Sequence, residues 1–142
     1  EASWYDDNGE RWQRMGDIGR VDEEGFVTLL GRSKDMIISG AENIYPAEIE
    51  NVLMGHPEIA DAAVIGVPDE KWGETVKAII TPAPDSDPDE ADLIAYCREN
   101  LAHYKCPTSV DRMQMIPRNP SGKILKTELR KPYWEGRDRS VN

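Results

Sequence analysis

Residues 31–50, GRSKDMIISGAENIYPAEIE, are the stretch of this sequence that most restricts its fold. The apolar run at 36–38 predicts a short strand, and the glycine at position 40 predicts a loop after it. Pro46 suits the first turn of a helix. That helix is predicted to end at Gly55 and to bury one face, formed by Ile49, Val52 and Leu53. The stretch therefore predicts a strand, a loop and a helix in immediate succession.

Outside this stretch, short apolar runs alternate with turn residues. Hairpin-type turns are predicted at 6–9 and 22–25, the second leading into a strand at 26–30. Farther on we expect strands at 64–67 and 75–80, joined through Pro68-Asp69. A helix at 89–101, opened by Pro88 or Asp89, a last strand at 109–116 and a basic helix from about 126 are predicted to follow. This order predicts an α+β fold with a small mixed or antiparallel sheet flanked by helices.

The two parts of the chain differ in their capacity to form a core. Residues 1–33 contain too few apolar side chains for an independent core, so we expect them to be terminal strands of a larger domain. Residues 34–142 are expected to form a small domain of their own. The chain begins at Glu1 rather than at methionine, which favours missing sequence upstream.

Composition excludes several classes of function. A net charge of -10 argues against general binding to nucleic acid or to anionic membranes. Residues 110–142 nevertheless hold eight Lys or Arg against four Asp or Glu, a basic surplus that could serve a small anionic ligand or simply be solvated. The printed residues predict neither a leader peptide nor an apolar run of transmembrane length. Cys97 and Cys106 lack metal-type or CxxC spacing, which favours a reduced, cytoplasmic setting.

A second polar motif reads PRNPSGKILK at 117–126. It places Lys123 after a Pro-Ser-Gly loop, from which an ammonium group can extend beyond the fold. An isolated Gly-Lys pair is most often a solvated surface lysine, so the residue types alone leave the role of Lys123 open. Lys126 is interpreted as a helix-surface residue. His56 and His103 have no partner at metal or triad spacing, and no metal site is predicted in this chain.

The segments at 31–50 and 117–126 together resemble the hinge and catalytic-lysine motifs of the adenylate-forming enzymes, the superfamily of acyl-CoA synthetases, luciferases and peptide-synthetase adenylation domains. The pattern around Lys123 is matched by Pro117, Pro120, Gly122 and Lys126. The resemblance runs nearly end to end. It implies that the chain is the carboxy-terminal part of such an enzyme, with 1–33 ending the large domain and 34–142 forming a mobile lid that pivots near Lys34.

The resemblance assigns the adenylation step to three positions. Lys123 would stabilise negative charge on the attacking carboxylate and on the α-phosphate of ATP. Asp17 would accept hydrogen bonds from both ribose hydroxyls of the nucleotide, and Arg32 would contact its ribose or phosphate. Met15 replaces the threonine usual before the Gly-Asp pair, so a hydroxyl contact is lost there. Glu42 is placed near the same phosphate or ribose.

A second lid orientation would serve the transfer to CoA. The loop Ser39-Gly40-Ala41 would then replace Lys123, and the thiol arm of CoA would pass along its backbone, where a Cβ on the central glycine would obstruct it. Arg98 and Lys105 are candidate contacts for the CoA phosphates. For Arg98 an ordinary ion pair is the alternative, with Glu90 or Glu99.

The implied function is that of an acid–CoA ligase, which activates a carboxylic acid with ATP to an acyl-adenylate and passes the acyl group to CoA. The segment at 43–50 and the Pro-Ser-Gly-Lys loop resemble those of fatty or aromatic acyl-CoA synthetases, and a fatty acid is favoured. The Mg²⁺ ligand and the acyl pocket are expected in the missing amino-terminal domain, the partner of the lid, so the isolated chain is expected to be inactive. Two alternatives stay open: an adenylation domain that acylates a carrier protein, and a noncatalytic binding domain.

Overall fold

Two antiparallel hairpins precede the main sheet in the computed structural model, which describes residues 4–137. The first joins β1 (Trp4–Asp7) to β2 (Glu10–Gln13), and the second joins β3 (Asp17–Val21) to β4 (Val27–Arg32). Asn8 and Gly9 have φ of 51° and 83°, as a tight two-residue hairpin turn requires. Asp22 closes the second turn by accepting the backbone N–H of Glu24 and of Phe26. Both predicted turns are confirmed.

The hairpins bury little of their apolar surface. Four apolar residues of the second hairpin are between 64% and 72% exposed: Val21, Phe26, Val27 and Leu29. A patch of this kind on a protein usually marks contact with further protein. The division of the chain at residues 33 and 34 stays a prediction.

The main sheet is built around a long antiparallel hairpin of β7 (Ile59–Asp69) and β8 (Gly73–Pro82). The other edge of β8 carries two partners. Its first residue pairs with β5 (Ile37–Ser39), which in turn pairs with β6 (Glu42–Ile44), and its second half pairs in parallel with β9 (Ser109–Arg112). The predicted α+β fold with a mixed, mainly antiparallel sheet is confirmed.

Helices cover both faces of this sheet because β7 and β8 are apolar on both sides. One face packs with α1 (Pro46–Met54) and α2 (Glu90–Asn100) around a core that includes Ile49, Leu53, Val64, Ile80 and Leu93. The opposite face packs with α3 (Lys126–Trp134) around Ala63, Ile65, Val67, Ile79, Ile116 and Leu129. The predicted helix start at Pro46 and its end at Gly55 are confirmed. Asp89 caps α2 by accepting the N–H of Ala91 at 2.8 Å.

Several predicted boundaries differ from the structure, and one strand was missed. Pro68 and Asp69 belong to β7, and the turn lies at 70–72, because the Asp69 carboxylate accepts the backbone N–H of both Lys71 and Trp72. The last strand ends at Arg112, which pairs with Ile80 of β8, rather than at residue 116. Strand β6 was expected to be loop; three residues are too few for a period-two pattern to appear.

Within residues 4–137, no helix is both long enough and apolar enough to cross a membrane.

Candidate functional site

Lys123, the predicted catalytic lysine, lines a cleft of about 380 Å³, here called the lysine cleft. Five cationic side chains line it: Arg32, Lys34, Arg118, Lys123 and Lys126. Asp35 and Glu50 are the carboxylates in its wall, so the lining carries a surplus of positive charge. The structure thus brings the predicted hinge residue, the predicted nucleotide arginine and Lys123 to one concavity. Its charge suits an anionic ligand such as a phosphate.

The predicted nucleotide pair is adjacent in space. Asp17 and Arg32 are cross-strand partners in β3 and β4, so their side chains lie on the same face of the hairpin. The Arg32 Nε and Asp17 Oδ1 atoms are 3.6 Å apart, and both side chains remain partly exposed. Gly16 accepts the N–H of Ser33 at 2.8 Å, which joins the start of this hairpin to the segment that follows β4.

The segment around Lys34 is bound to α3. Residues Ser33–Asp35 form a single 3-10 turn. The Arg130 guanidinium donates to the carbonyl oxygen of Lys34 at 3.3 Å and to Asp35 Oδ1 at 3.2 Å. The helix that follows the Lys123 loop therefore contacts the predicted hinge directly, a connection that the sequence analysis missed.

Lys126 is not the helix-surface residue that was expected. Its Nζ lies 2.7 Å from Glu50 Oε1, and the two side chains are only 12% and 17% exposed. Glu50 also accepts the N–H of Val64 at 2.8 Å, so it links α1, α3 and β7. Lys126 and Arg130 are four residues apart and share one face of α3, a spacing that could have indicated a buried basic stripe.

A second concavity of about 320 Å³, here called the glycine groove, lies at the β5–β6 loop. Its walls include Ser39, Gly40, Glu42, Trp72 and Tyr104. The structure therefore places Glu42 with the predicted CoA loop and apart from Lys123 and Arg32, because β6 turns back along β5. Ala41 occupies the tip of this loop with φ of 69°. The aromatic residues of this groove were not predicted. The signal available in the sequence was a tryptophan, Trp72, close to a predicted turn.

Gly40 has a specific steric role in this groove. Its φ is +57°, and a Cβ at this position would lie 2.6 Å from Cε3 of Trp72. Its N–H donates to the Trp72 carbonyl at 2.9 Å. The indole therefore lies directly over the glycine, and any side chain here would displace it.

The two predicted phosphate contacts lie outside the lining of both concavities. Lys105 bonds both oxygens of Glu48, at 2.8 and 2.9 Å. That hydrogen bond, with the charge of Glu48, raises the pKa of Lys105 against the opposing effect of burial, so the ammonium stays charged. Arg98 is exposed in the last turn of α2. Of its two suggested partners, Glu90 instead accepts the N–H of Val110 at 2.7 Å.

The cysteines belong to the core beside the glycine groove. Cys97 and Cys106 are buried free thiols. Burial, and to a lesser extent the neighbouring Cys106, raise the pKa of Cys97 to about 11. Burial also raises the pKa of Cys106, although the charge of Arg98 opposes it. Among the residues described, no three His, Cys, Asp or Glu side chains are grouped as a metal site.

Comparison with known proteins gives consistent similarities. Residues 48–123 match the family described as the AMP-binding enzyme C-terminal domain. The long-chain-fatty-acid–CoA ligase FadD13 of Mycobacterium tuberculosis is 54% identical over 127 residues, 89% of this chain and 25% of FadD13. The fatty acid–[acyl-carrier-protein] ligase ScoC of Streptomyces coeruleorubidus is 49% identical over 131 residues, 92% of this chain and 25% of ScoC.

Solved structures agree with the sequence matches. A Mycobacterium tuberculosis fatty acyl CoA synthetase superposes with a TM-score of 0.73 at 51% identity, covering 93% of this chain and 26% of that one. ATP-bound MatB from Rhodopseudomonas palustris superposes with a TM-score of 0.80 at 37% identity, covering 89% and 25%. The chain thus spans about a quarter of the length of the relatives that it matches.

Proposed function

The chain belongs to the AMP-binding enzyme C-terminal domain family, and from that membership we propose that it is the carboxy-terminal part of an ATP-dependent, AMP-forming acid–CoA ligase. The parent enzyme joins a carboxylic acid to ATP, forming an acyl-adenylate and pyrophosphate. It then transfers the acyl group to the thiol of CoA and releases AMP. The observation that supports this proposal is that Arg32, Lys34 and Lys123 line the lysine cleft, whereas Ser39 and Gly40 line the separate glycine groove.

In the first half-reaction the lysine cleft faces the nucleotide. Lys123 stabilises the charge that develops between the attacking carboxylate oxygen and the α-phosphate. Arg32 and Asp17 hold the nucleotide. The Asp17 carboxylate accepts hydrogen bonds from the two ribose hydroxyls. The positive surplus of the cleft is the feature that fits an ATP phosphate. The amino-terminal domain would hold Mg²⁺, which would neutralise phosphate charge, and would also contain the acyl pocket.

In the second half-reaction the lid has rotated about Lys34. A few residues at the end of an element are enough to absorb such a rotation. The glycine groove then receives the arm of CoA along the backbone of Ser39, Gly40 and Ala41, beside the Trp72 indole. Glu42 belongs to this orientation by its position. Lys105 and Arg98 stand near the groove as charged contacts for the CoA phosphates.

A fatty acid is the proposed substrate. FadD13 and the mycobacterial synthetase support it, at 54% and 51% identity. A feruloyl-CoA synthase of Streptomyces at 50% identity makes aromatic acids the next to test. The buried free thiols fit a cytoplasmic enzyme. The isolated 142 residues are expected to have no turnover, because the acyl pocket is expected in the amino-terminal domain.

The proposal is tested by carboxylate-dependent ATP–pyrophosphate exchange in the full-length protein, with a panel of fatty and aromatic acids. Lys123→Ala should lower exchange about 100- to 1,000-fold, the usual effect of removing one stabilising donor. Lys131→Ala is the control, since it removes an exposed lysine on α3 that does not line the lysine cleft. Undiminished exchange in Lys123→Ala would remove that residue from the mechanism. No exchange with any acid would favour a noncatalytic binding domain.

A carrier protein is the second candidate acceptor, because ScoC is 49% identical and is named as an acyl-carrier-protein ligase. The two acceptors are separated by supplying the acyl-adenylate with either CoA or a phosphopantetheinylated carrier protein. Thioester formation with CoA supports the ligase proposed here. Formation with the carrier protein alone would reassign the acceptor and leave the adenylation step unchanged.

A further inference from the structure

The loop that presents Lys123 is closed by its own hydrogen bonds. Oδ1 of Asn119 accepts the N–H of Ser121 at 3.1 Å, the N–H of Lys123 at 2.9 Å and the Ser121 hydroxyl at 2.8 Å. Two backbone bonds of 2.9 Å complete the turn, from Asn119 to the Lys123 carbonyl and from Gly122 to the Asn119 carbonyl. The loop backbone therefore has a defined shape although its side chains are exposed.

Arg118 joins the loop to the sheet. Its Nη1 donates to the carbonyl oxygen of Gly122, the residue before Lys123, at 2.8 Å. Its Nη2 contacts both carboxylate oxygens of Asp61, at 2.7 and 2.8 Å. A guanidinium is planar and rigid, so the two ends of this contact are held at a set distance. Asp61 is on β7 and lies 57 residues upstream of Arg118.

Asp61 is itself held in place by an irregularity of the sheet. The pairing of β7 with β8 shifts register between Ile59 and Asp61. Bulges of this type re-aim the side chain of a strand. Oδ1 of Asp61 also accepts the N–H of Ala62 at 3.0 Å. The carboxylate thus has a set direction on a rigid element, the arrangement that positions a functional group well.

We propose that Asp61 is a positioning residue for Lys123 in the adenylation half-reaction, acting through Arg118 and the Gly122 carbonyl; the inference rests on the proposed function. The side chains of Arg118 and Asp61 are 42% and 26% exposed. An ion pair this exposed contributes little to folding stability. Its loss should leave the fold unchanged and release the anchor of the Lys123 loop. Small displacements of a catalytic group reduce the rate of the chemical step strongly.

The test uses the full-length protein with Asp61→Asn, Arg118→Gln and the double variant. Each single variant should lower kcat for ATP–pyrophosphate exchange about tenfold or more. In Asp61→Asn, which keeps every cation of the lysine cleft, KM for ATP should change little. Acyl transfer from a supplied acyl-adenylate to CoA should keep its rate, because Lys123 is not used there. The double variant should be no slower than Arg118→Gln alone, since both changes break one connection.

Asp87→Asn is the matched control. It breaks another exposed Asp–Arg pair of this domain, Asp87 with Arg112 at 2.6 Å, that does not line the lysine cleft. Exchange at the wild-type rate in Asp61→Asn, with exchange lost in Lys123→Ala, would overturn the positioning role and leave the proposed function intact. An equal loss in exchange and in acyl transfer would also overturn it. Absence of exchange in the unchanged protein would overturn the proposed function first.

Discussion

Gly66 is the position where one added methyl group should disturb the sheet most. It lies in β7 opposite Val76, and a Cβ there would be 2.5 Å from Oε2 of Glu74 and 3.2 Å from Cγ2 of Ile37. Glu74 is only 5% exposed, and its Oε2 accepts the N–H of Ile38 at 3.2 Å. Gly66→Ala therefore requires the buried carboxylate that links β8 to β5 to move.

The expected loss combines three effects. Overpacking a core costs about 1–3 kcal/mol of unfolding free energy. Leaving the Ile38 N–H without its acceptor adds about 1–3 kcal/mol. Alanine is favoured over glycine inside a strand by roughly 0.5–1 kcal/mol, which offsets part of this loss. We therefore expect Gly66→Ala to lower the free energy of unfolding by about 1–5 kcal/mol, with a central value of about 3 kcal/mol.

Urea unfolding of the 142-residue chain, followed by circular dichroism, measures this loss. Gly73→Ala is the control: its φ is +79° with no atom within 4 Å of an added Cβ, so only the backbone cost of about 1–2 kcal/mol applies. A Gly66→Ala loss no larger than that of Gly73→Ala would refute the steric argument. It would mean that the Glu74 side chain can move without breaking its contact with β5.

The remaining predictions concern ionisable side chains of α3. Lys126→Met should lower the free energy of unfolding by about 3 kcal/mol, because it leaves the largely buried Glu50 carboxylate without its cation. Urea unfolding measures this loss, and the exposed control Lys131→Met should stay within about 0.5 kcal/mol of the unchanged protein. Burial first, and then the hydrogen bond to Asp111, raise the pKa of Tyr133 to about 12, from an ordinary value of 10.0. A raised pKa favours the protonated phenol in the folded state, so this stabilisation is complete below pH 10 and is lost as the pH rises toward 12. Absorbance titration of tyrosinate should show one late-titrating group that is absent in Tyr133→Phe, and an unchanged titration curve in that variant would contradict the assignment.

Local patterns were sufficient for the elements whose bonds are local. The helix from Pro46 to its end at Gly55 could be predicted because its proline and its apolar spacing act within a few residues. The two hairpin turns before β2 and β4 could be predicted for the same reason. The turn after β7 was misplaced by two residues because the Asp69 side chain, rather than Pro68, closes it.

Contacts between distant segments could not be read from the sequence. Lys126 looked like a surface residue because nothing near it in sequence shows that Glu50 lies opposite. The resemblance placed Glu42 near the phosphate or ribose, and no local pattern showed that the β5–β6 hairpin brings it to the lining of the glycine groove. Trp72 came to the groove through the β7–β8 turn, which no local pattern relates to Gly40.

By itself, the sequence determined the family resemblance, the types of most elements and the residues that belong to the two motifs. Those properties depend on residue types and spacings over short stretches. The folded chain was needed to show which of those residues share a concavity, which charges are buried in pairs, and that Asp61 reaches the Lys123 loop through Arg118. These depend on strand register and helix packing, which bring together side chains that no short segment of sequence contains.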